Sequence, residues 1–323
     1  MTGGPSQITE IRAGHRDENG NFVNPSVSIN DGANVISDLP SSQEHLPESK
    51  NVRSLRAVLN TLGDGFVEAV DESTLLAIAD SQPDQSHGLI RGEAIQVPIL
   101  EAPGQTRVGR FGWKDQHGSL LSFAADAYVN EMGVTSRLRM VDPTSVCKVT
   151  SDPEDRPEAL GLADIDHFAQ FVRGTKVPPR DTLPATTPDA MAGQKVFESI
   201  GCNICHVESM KTAPQRTPVN GGMFLVPEAL GSKIIHPLGD FLLHQILIGD
   251  GIVQVGPEDA AAKLRTAPLW GLRTKSRFMH DLASLTLEDA IYRHRGEARR
   301  VAHDFRALPS VQPQQLIRFL KSL

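Results

Sequence analysis

Residues 202–206 read CNICH, and this run carries the sharpest chemistry in the chain. Two cysteines separated by two residues bring both sulfurs to one side of a single helical turn. The histidine that follows presents its imidazole to whatever the sulfurs hold. Two thioether bonds to porphyrin vinyl groups, with the histidine on the iron, need this arrangement. On this reading Cys202 and Cys205 anchor one covalent haem c, and His206 is the proximal iron ligand. Two other readings use the same residues. A redox dithiol would follow a strand in a βαβ unit, whereas the residues before CNICH read as a helix. A structural zinc site needs four ligands. Only Cys147 and scattered histidines could complete one, none at finger spacing.

Iron held in this way often takes a second axial ligand, Met or His. Thr286 followed by Asp289 resembles a capping box. The helix it opens carries Leu287, Ala290, Ile291 and His294 on one face. His294 is therefore a candidate distal ligand, with a packed core histidine as the plain alternative. Met279, in RFMHD, competes for the same role, and its neighbour His280 could instead bond a haem propionate. Arg265, Arg273 and Arg277 could also pair with propionates, because a guanidinium matches carboxylate geometry. A solvated arginine is the competing reading for each. Met223 reads as loop packing. His236 and His244 lie in an apolar, helix-like stretch and read as structural.

The elements that must position these groups are partly visible. Residues 1–50 are rich in Gly, Asn, Ser and Pro and read as loop. Residues 51–80 suggest short helices, with Asp71 or Ser73 as a cap. Residues 93–110 alternate weakly and hold one or two short strands. A helix over 119–133 would turn Leu121, Ala125, Tyr128 and Met132 to one face. Another over 164–176 would bury Ile165, Phe168, Ala169 and Val172, with Gly174 as its stop. The stretch 177–188, with Pro178, Pro179, Pro184 and Pro188, reads as a linker. Beyond it Asp189 can cap a helix that runs to Ile200. The last helix places Leu316, Ile317, Leu320 and Leu323 together.

Bulk properties narrow the choices. A length of 323 residues suggests two domains, and 39% hydrophobic residues can fill their cores. A net charge of −7, 5% aromatics and no basic block argue against a nucleic-acid groove. No apolar run approaches a membrane span. The first residues lack the apolar core of a signal peptide, which conflicts with haem attachment outside the cytoplasm.

The stretches GRFGWKDQHGSLLSFAADAYVNEMG, IGCNICH, KLRTAPLWGLR, FMHD and HRGEA, with a final LIRFLKSL, resemble the di-haem thiol-oxidoreductase-like proteins. These are relatives of bacterial di-haem cytochrome c peroxidases, and the resemblance runs from about residue 50 to the end. It implies a mainly α chain built from two cytochrome c-like domains in the periplasm, each with one haem, serving a redox partner protein. It also implies that Gly193 and Phe197 pack on Phe319. In the related peroxidases a distal ligand lies fourteen residues after the histidine of an HDG-type motif. From His280 that count reaches His294. The motif reads HDL here, with Leu282 in place of glycine. Trp113 would be an inter-haem relay by resemblance, against the plain reading of a core tryptophan.

No cysteine precedes Cys147, so the family's first CxxCH is absent. A weak repeat, ADAYVNEMG over EDAIYRHRG, sets Glu131 opposite His294 with Met132 beside it. The chain then reads as an incomplete first domain over 1–176, with loops and a few short strands. The linker 177–188 follows, and then a helical haem domain over 189–323. A missing piece would have carried the first haem and any export signal. The resulting expectation is an electron-transfer protein, with a di-haem peroxidase-like enzyme or a non-catalytic remnant as alternatives. The Cys147 thiol reads as single and buried.

Overall fold

The computed structural model describes residues 8–28, 50–141, 154–159 and 161–323; Cys147 lies outside them. Helix accounts for 36% and strand for 15% of the structure. That corrects the expectation of a mainly α chain. Among the described residues the strands form one three-stranded sheet and four two-stranded ribbons, mostly a few residues long. Such short pairs leave little periodicity in a sequence.

The largest sheet falls where loop and helix were expected. Its strands are β1 (Ile8–Arg16), β2 (Phe22–Ser28) and β3 (Val52–Ala57), antiparallel in the order β2-β1-β3. In β3 the usual alternation is inverted. Ser54 and Arg56 are buried while Leu55 is 48% exposed. Arg56 reaches Asp250 at 2.6 Å, and Lys114 reaches the same carboxylate at 2.9 Å. A buried charge survives only when paired, so the inward face of β3 is polar by design.

Four helices follow: α1 (Asp64–Glu68), α2 (Glu72–Gln85), α3 (Leu120–Met132) and α4 (Asp164–Gly174). Asp71 caps α2 by accepting from the Ser73 amide at 2.9 Å. Ser119 caps α3, and Gly133 closes it at φ 71°, a conformation that glycine adopts without strain. Leu121 and Ala125 are buried on α3 and Tyr128 is half-buried, but Met132 is 57% exposed. The helix runs past the elements that cover it, so its last turn faces outward. On α4, Ile165, Ala169 and Val172 are buried. One core joins Val67, Val108, Phe111, Leu120 and Val172 to Met210, Phe241, Leu242 and Trp270 from beyond the proline-rich stretch.

That stretch holds a one-turn helix, α5 (Thr182–Ala185), and leads into α6 (Pro188–Ser199). The cap of α6 is Thr187 rather than Asp189, because Pro188 suits the first helical position. The remaining helices are α7 (Leu287–Tyr292), α8 (Arg299–Arg306) and α9 (Gln312–Leu320). Helices α6 and α9 cross closely, with Phe197 and Phe319 ring centroids 5.3 Å apart. A Cβ at Gly193 would lie 2.0 Å from the Gln315 carbonyl oxygen. Gly193→Ala is therefore expected to cost about 2 kcal/mol through overpacking, despite a helix-propensity gain of about 1 kcal/mol. Thermal unfolding reads this, and an unchanged midpoint would rule out the close crossing. Among the described residues no helix is long and apolar enough to cross a membrane.

Candidate functional site

Helix α6 delivers the chain to the CNICH turn. Gly201 reverses direction at φ 88°, and Cys202–Ile204 then form a single tight helical turn. The His206 amide closes it by donating to the Cys202 carbonyl at 2.9 Å. Cys202 packs against the apolar cluster of Val196, Phe197, Leu238 and Leu316. Burial pushes the Cys202 thiol up to about 12. Burial also raises Cys205, against the pull of His244. Neither sulfur is a ready thiolate, which weighs against a reactive dithiol.

His206 faces His294. Their ring centroids lie 6.4 Å apart. His206 Nδ1 donates to the Leu238 carbonyl at 3.0 Å, and His294 Nδ1 donates to the Ala290 carbonyl at 2.8 Å. A carbonyl only accepts, so both Nδ1 atoms carry the proton and both Nε2 lone pairs are free. Two metal–imidazole bonds of about 2 Å each, plus the ring radii, span about the distance observed. Burial and the neighbouring His294 push His206 down to about 4, and burial lowers His294 as well. Both rings are thus neutral, the form that binds a metal. Phe197 packs on His206 at a ring separation of 6.2 Å, in the apolar cluster that also holds Cys202, Leu287, Ile291, Leu272 and Phe278. The residues fit a haem held between the two imidazoles.

His294 lies just beyond the end of α7, whose cap is Thr286 accepting from the Asp289 amide at 3.0 Å. Met279 sits half-buried in a left-handed turn at φ 70°. The nearby Leu282 is also left-handed, at φ 55° and buried, the conformation for which glycine is the strain-free choice. His280 is buried, and its Nδ1 has no hydrogen-bond partner. Trp113 meets His280 edge-on at 6.1 Å and donates to the Ala57 carbonyl at 2.9 Å. Arg265 is buried. It donates to the Gly112 carbonyl at 2.7 Å and lies 3.6 Å from Asp115. Arg273 is exposed and donates to the Pro179 carbonyl, and Arg277 donates to that of Leu282. Met223, Glu131 and His236 are exposed.

The apolar stretch around His244 is not helical. Leu238, Phe241 and Leu247 have positive φ, and only two-residue strands interrupt the loop. Its fold brings together groups that sequence reasoning missed. His244 Nε2 contacts Asp240 at 2.8 Å, and its Nδ1 contacts Glu297 at 3.0 Å and Cys205 Sγ at 3.8 Å. Burial opposes a charge on His244, but the Asp240 carboxylate outweighs it and holds the ring well above the usual histidine range. The separation of four between Asp240 and His244 was visible, but the approach of Glu297 was not.

The family model described as "Di-haem oxidoreductase, putative peroxidase" matches residues 31–323. Among solved structures, the chain is similar to one titled "Kuenenia stuttgartiensis Hydrazine Synthase Pressurized with 20 bar Xenon". The identity is 19%, over 49% of this chain and 55% of that one, with a TM-score of 0.27. The chain thus spans little more than half the length of that neighbour. No curated protein matches.

Proposed function

Since the chain belongs to the di-haem oxidoreductase family, whose cofactor is haem, we propose that it binds one haem c covalently and transfers electrons. Cys202 and Cys205 would form the thioethers, and His206 and His294 would hold the iron. The observation that carries this reading is the facing pair of imidazoles with both Nδ1 atoms tied to carbonyls. Haem supplies a one-electron ferric/ferrous couple. The chain's own residues keep both rings neutral, and two imidazoles would leave the iron no open position. His280 is the favoured propionate contact, because its buried Nδ1 lacks a partner, whereas Arg273 is engaged with Pro179. Arg265 is likewise engaged, with the Gly112 carbonyl and Asp115.

Covalent haem attachment outside the cytoplasm makes the periplasm the expected compartment. A redox partner protein would supply or accept the electron. A polar cleft of about 400 Å³ beside CNICH, lined in part by Ile204, Glu297, Arg300 and Asp304, offers an approach. The second reading is a peroxidase-like enzyme, which the family description favours. It requires an open iron position, and the two facing histidines argue against one.

The test is co-expression with c-type haem maturation factors. One haem per chain is expected, retained on a denaturing gel and showing the pyridine haemochrome of a two-thioether haem. A chain that retains no haem would overturn the proposal.

A further inference from the structure

Buried Asp240 and His244 and half-buried Glu297 form a charge cluster that electron transfer does not by itself require. Every member is locked. The Asp240 carboxylate accepts from Gln82 Nε2 at 2.6 Å, the Leu242 amide at 3.0 Å and His244 Nε2 at 2.8 Å. Glu297 accepts from the Arg91 amide, the Gln245 amide and His244 Nδ1, at 2.9, 2.9 and 3.0 Å. A carboxylate oxygen faces each ring nitrogen, so the ring carries both protons. Two negative charges and one positive charge give these three side chains a net charge of −1, and the Arg265 guanidinium, which also acts on Asp240, is shared with Asp115. His244 Nδ1 lies 3.8 Å from the Cys205 sulfur, and an Asp240 carboxylate oxygen lies within 4.8 Å of that sulfur. Buried ion clusters usually cost more than well-packed apolar residues of the same volume, so stability alone is a weak reason to keep one here.

We infer that Asp240, His244 and Glu297 are positioning residues whose fixed net negative charge lowers the reduction potential of the haem attached at Cys205. The inference rests on the haem reading above. Negative charge favours the ferric over the ferrous state, because the ferric centre carries one more positive charge, and a low-dielectric surrounding strengthens the effect. The couple takes up one electron, which dithionite supplies in the test.

Glu297→Gln removes one negative charge while keeping the shape. It should favour the ferrous form about tenfold, a midpoint rise of about 59 mV for one electron. His244→Gln removes the positive charge and should lower the midpoint, so it reads the same quantity with the opposite sign if the first variant folds poorly. Glu297→Asp keeps the charge and should leave the midpoint near that of the parent. A role limited to packing would make the aspartate variant shift as much as the glutamine variant. That pattern, an unmoved or lowered midpoint in Glu297→Gln, or an unmoved or raised midpoint in His244→Gln, overturns the inference. Haem staining of the parent chain separates this failure from that of the haem reading. A parent without covalent haem removes both, whereas a haem-loaded parent with unmoved variants removes only the charge cluster's role.

Discussion

Replacing His294 by alanine is expected to convert a low-spin, six-coordinate haem spectrum into a high-spin one, and to create a reaction with hydrogen peroxide that the parent chain lacks. Its imidazole stands opposite His206 at a ring separation of 6.4 Å, fixed by a 2.8 Å bond from Nδ1 to the Ala290 carbonyl. Alanine cannot coordinate, so an iron held by His206 would gain an open position, and access to the iron decides between electron transfer and activation of a bound oxidant. The expected change involves the whole haem population, because a ligand is either bound or absent. Covalent attachment should persist, since the two cysteines and His206 are untouched. Added imidazole should restore the low-spin spectrum by filling the vacated space. A low-spin spectrum that survives in His294→Ala would move the distal role to another side chain. Met279 would then be the first to replace, since it sits half-buried beside His280 in the same loop. A parent that already reacts with peroxide would instead favour the enzyme reading.

The helices were readable where local chemistry sets their limits. Asp71 caps α2, Ser119 and Gly133 bound α3, and Thr286 opens α7. Each of these is a contact within a few residues. The apolar face that includes Leu287, Ala290 and Ile291 also pointed to His294, whose ring lies opposite that of His206. The first sheet was not readable, because its inward residues are Ser54 and Arg56. The partner that makes their burial tolerable, Asp250, lies almost two hundred positions away. The stretch around His244 misled for the opposite reason. Its apolar residues are buried, but positive φ at Leu238, Phe241 and Leu247 breaks the helical path, and hydrophobicity does not report backbone handedness. Met132 shows a third limit. A face drawn by periodicity continues to the end of a helix even when the covering elements stop short. The charge cluster at Cys205 combines these failures, since Gln82, Asp240, His244 and Glu297 come from three separate regions. Tertiary folding alone brings them together.

The same long-range logic predicts that Glu68→Ala is among the most destabilising single changes in the chain. Glu68 is fully buried on α1. Its carboxylate accepts from Arg173 Nε and NH2 at 2.6 and 3.0 Å, the Leu120 amide at 2.8 Å and Asn220 Nδ2 at 2.9 Å. One side chain thus ties α1 to the start of α3, the end of α4 and the turn at Asn220. Alanine leaves the Arg173 guanidinium, an amide and a side-chain amide without their partner. Breaking a buried ion pair from one side costs about 3–5 kcal/mol, a large part of the roughly 5–15 kcal/mol that holds a typical domain together. Burial alone would raise the carboxyl's pKa, but the bonds and charge of Arg173 outweigh it and hold it below the usual glutamate range. A carboxyl depressed in the fold stabilises above the unfolded pKa of about 4.3. That contribution fades as the pH falls through the lower folded value. Denaturant unfolding of parent and variant should therefore show the widest gap near neutrality and a narrowing one in acid. A gap that stays constant with pH would mean that Glu68 acts through packing rather than through its charge.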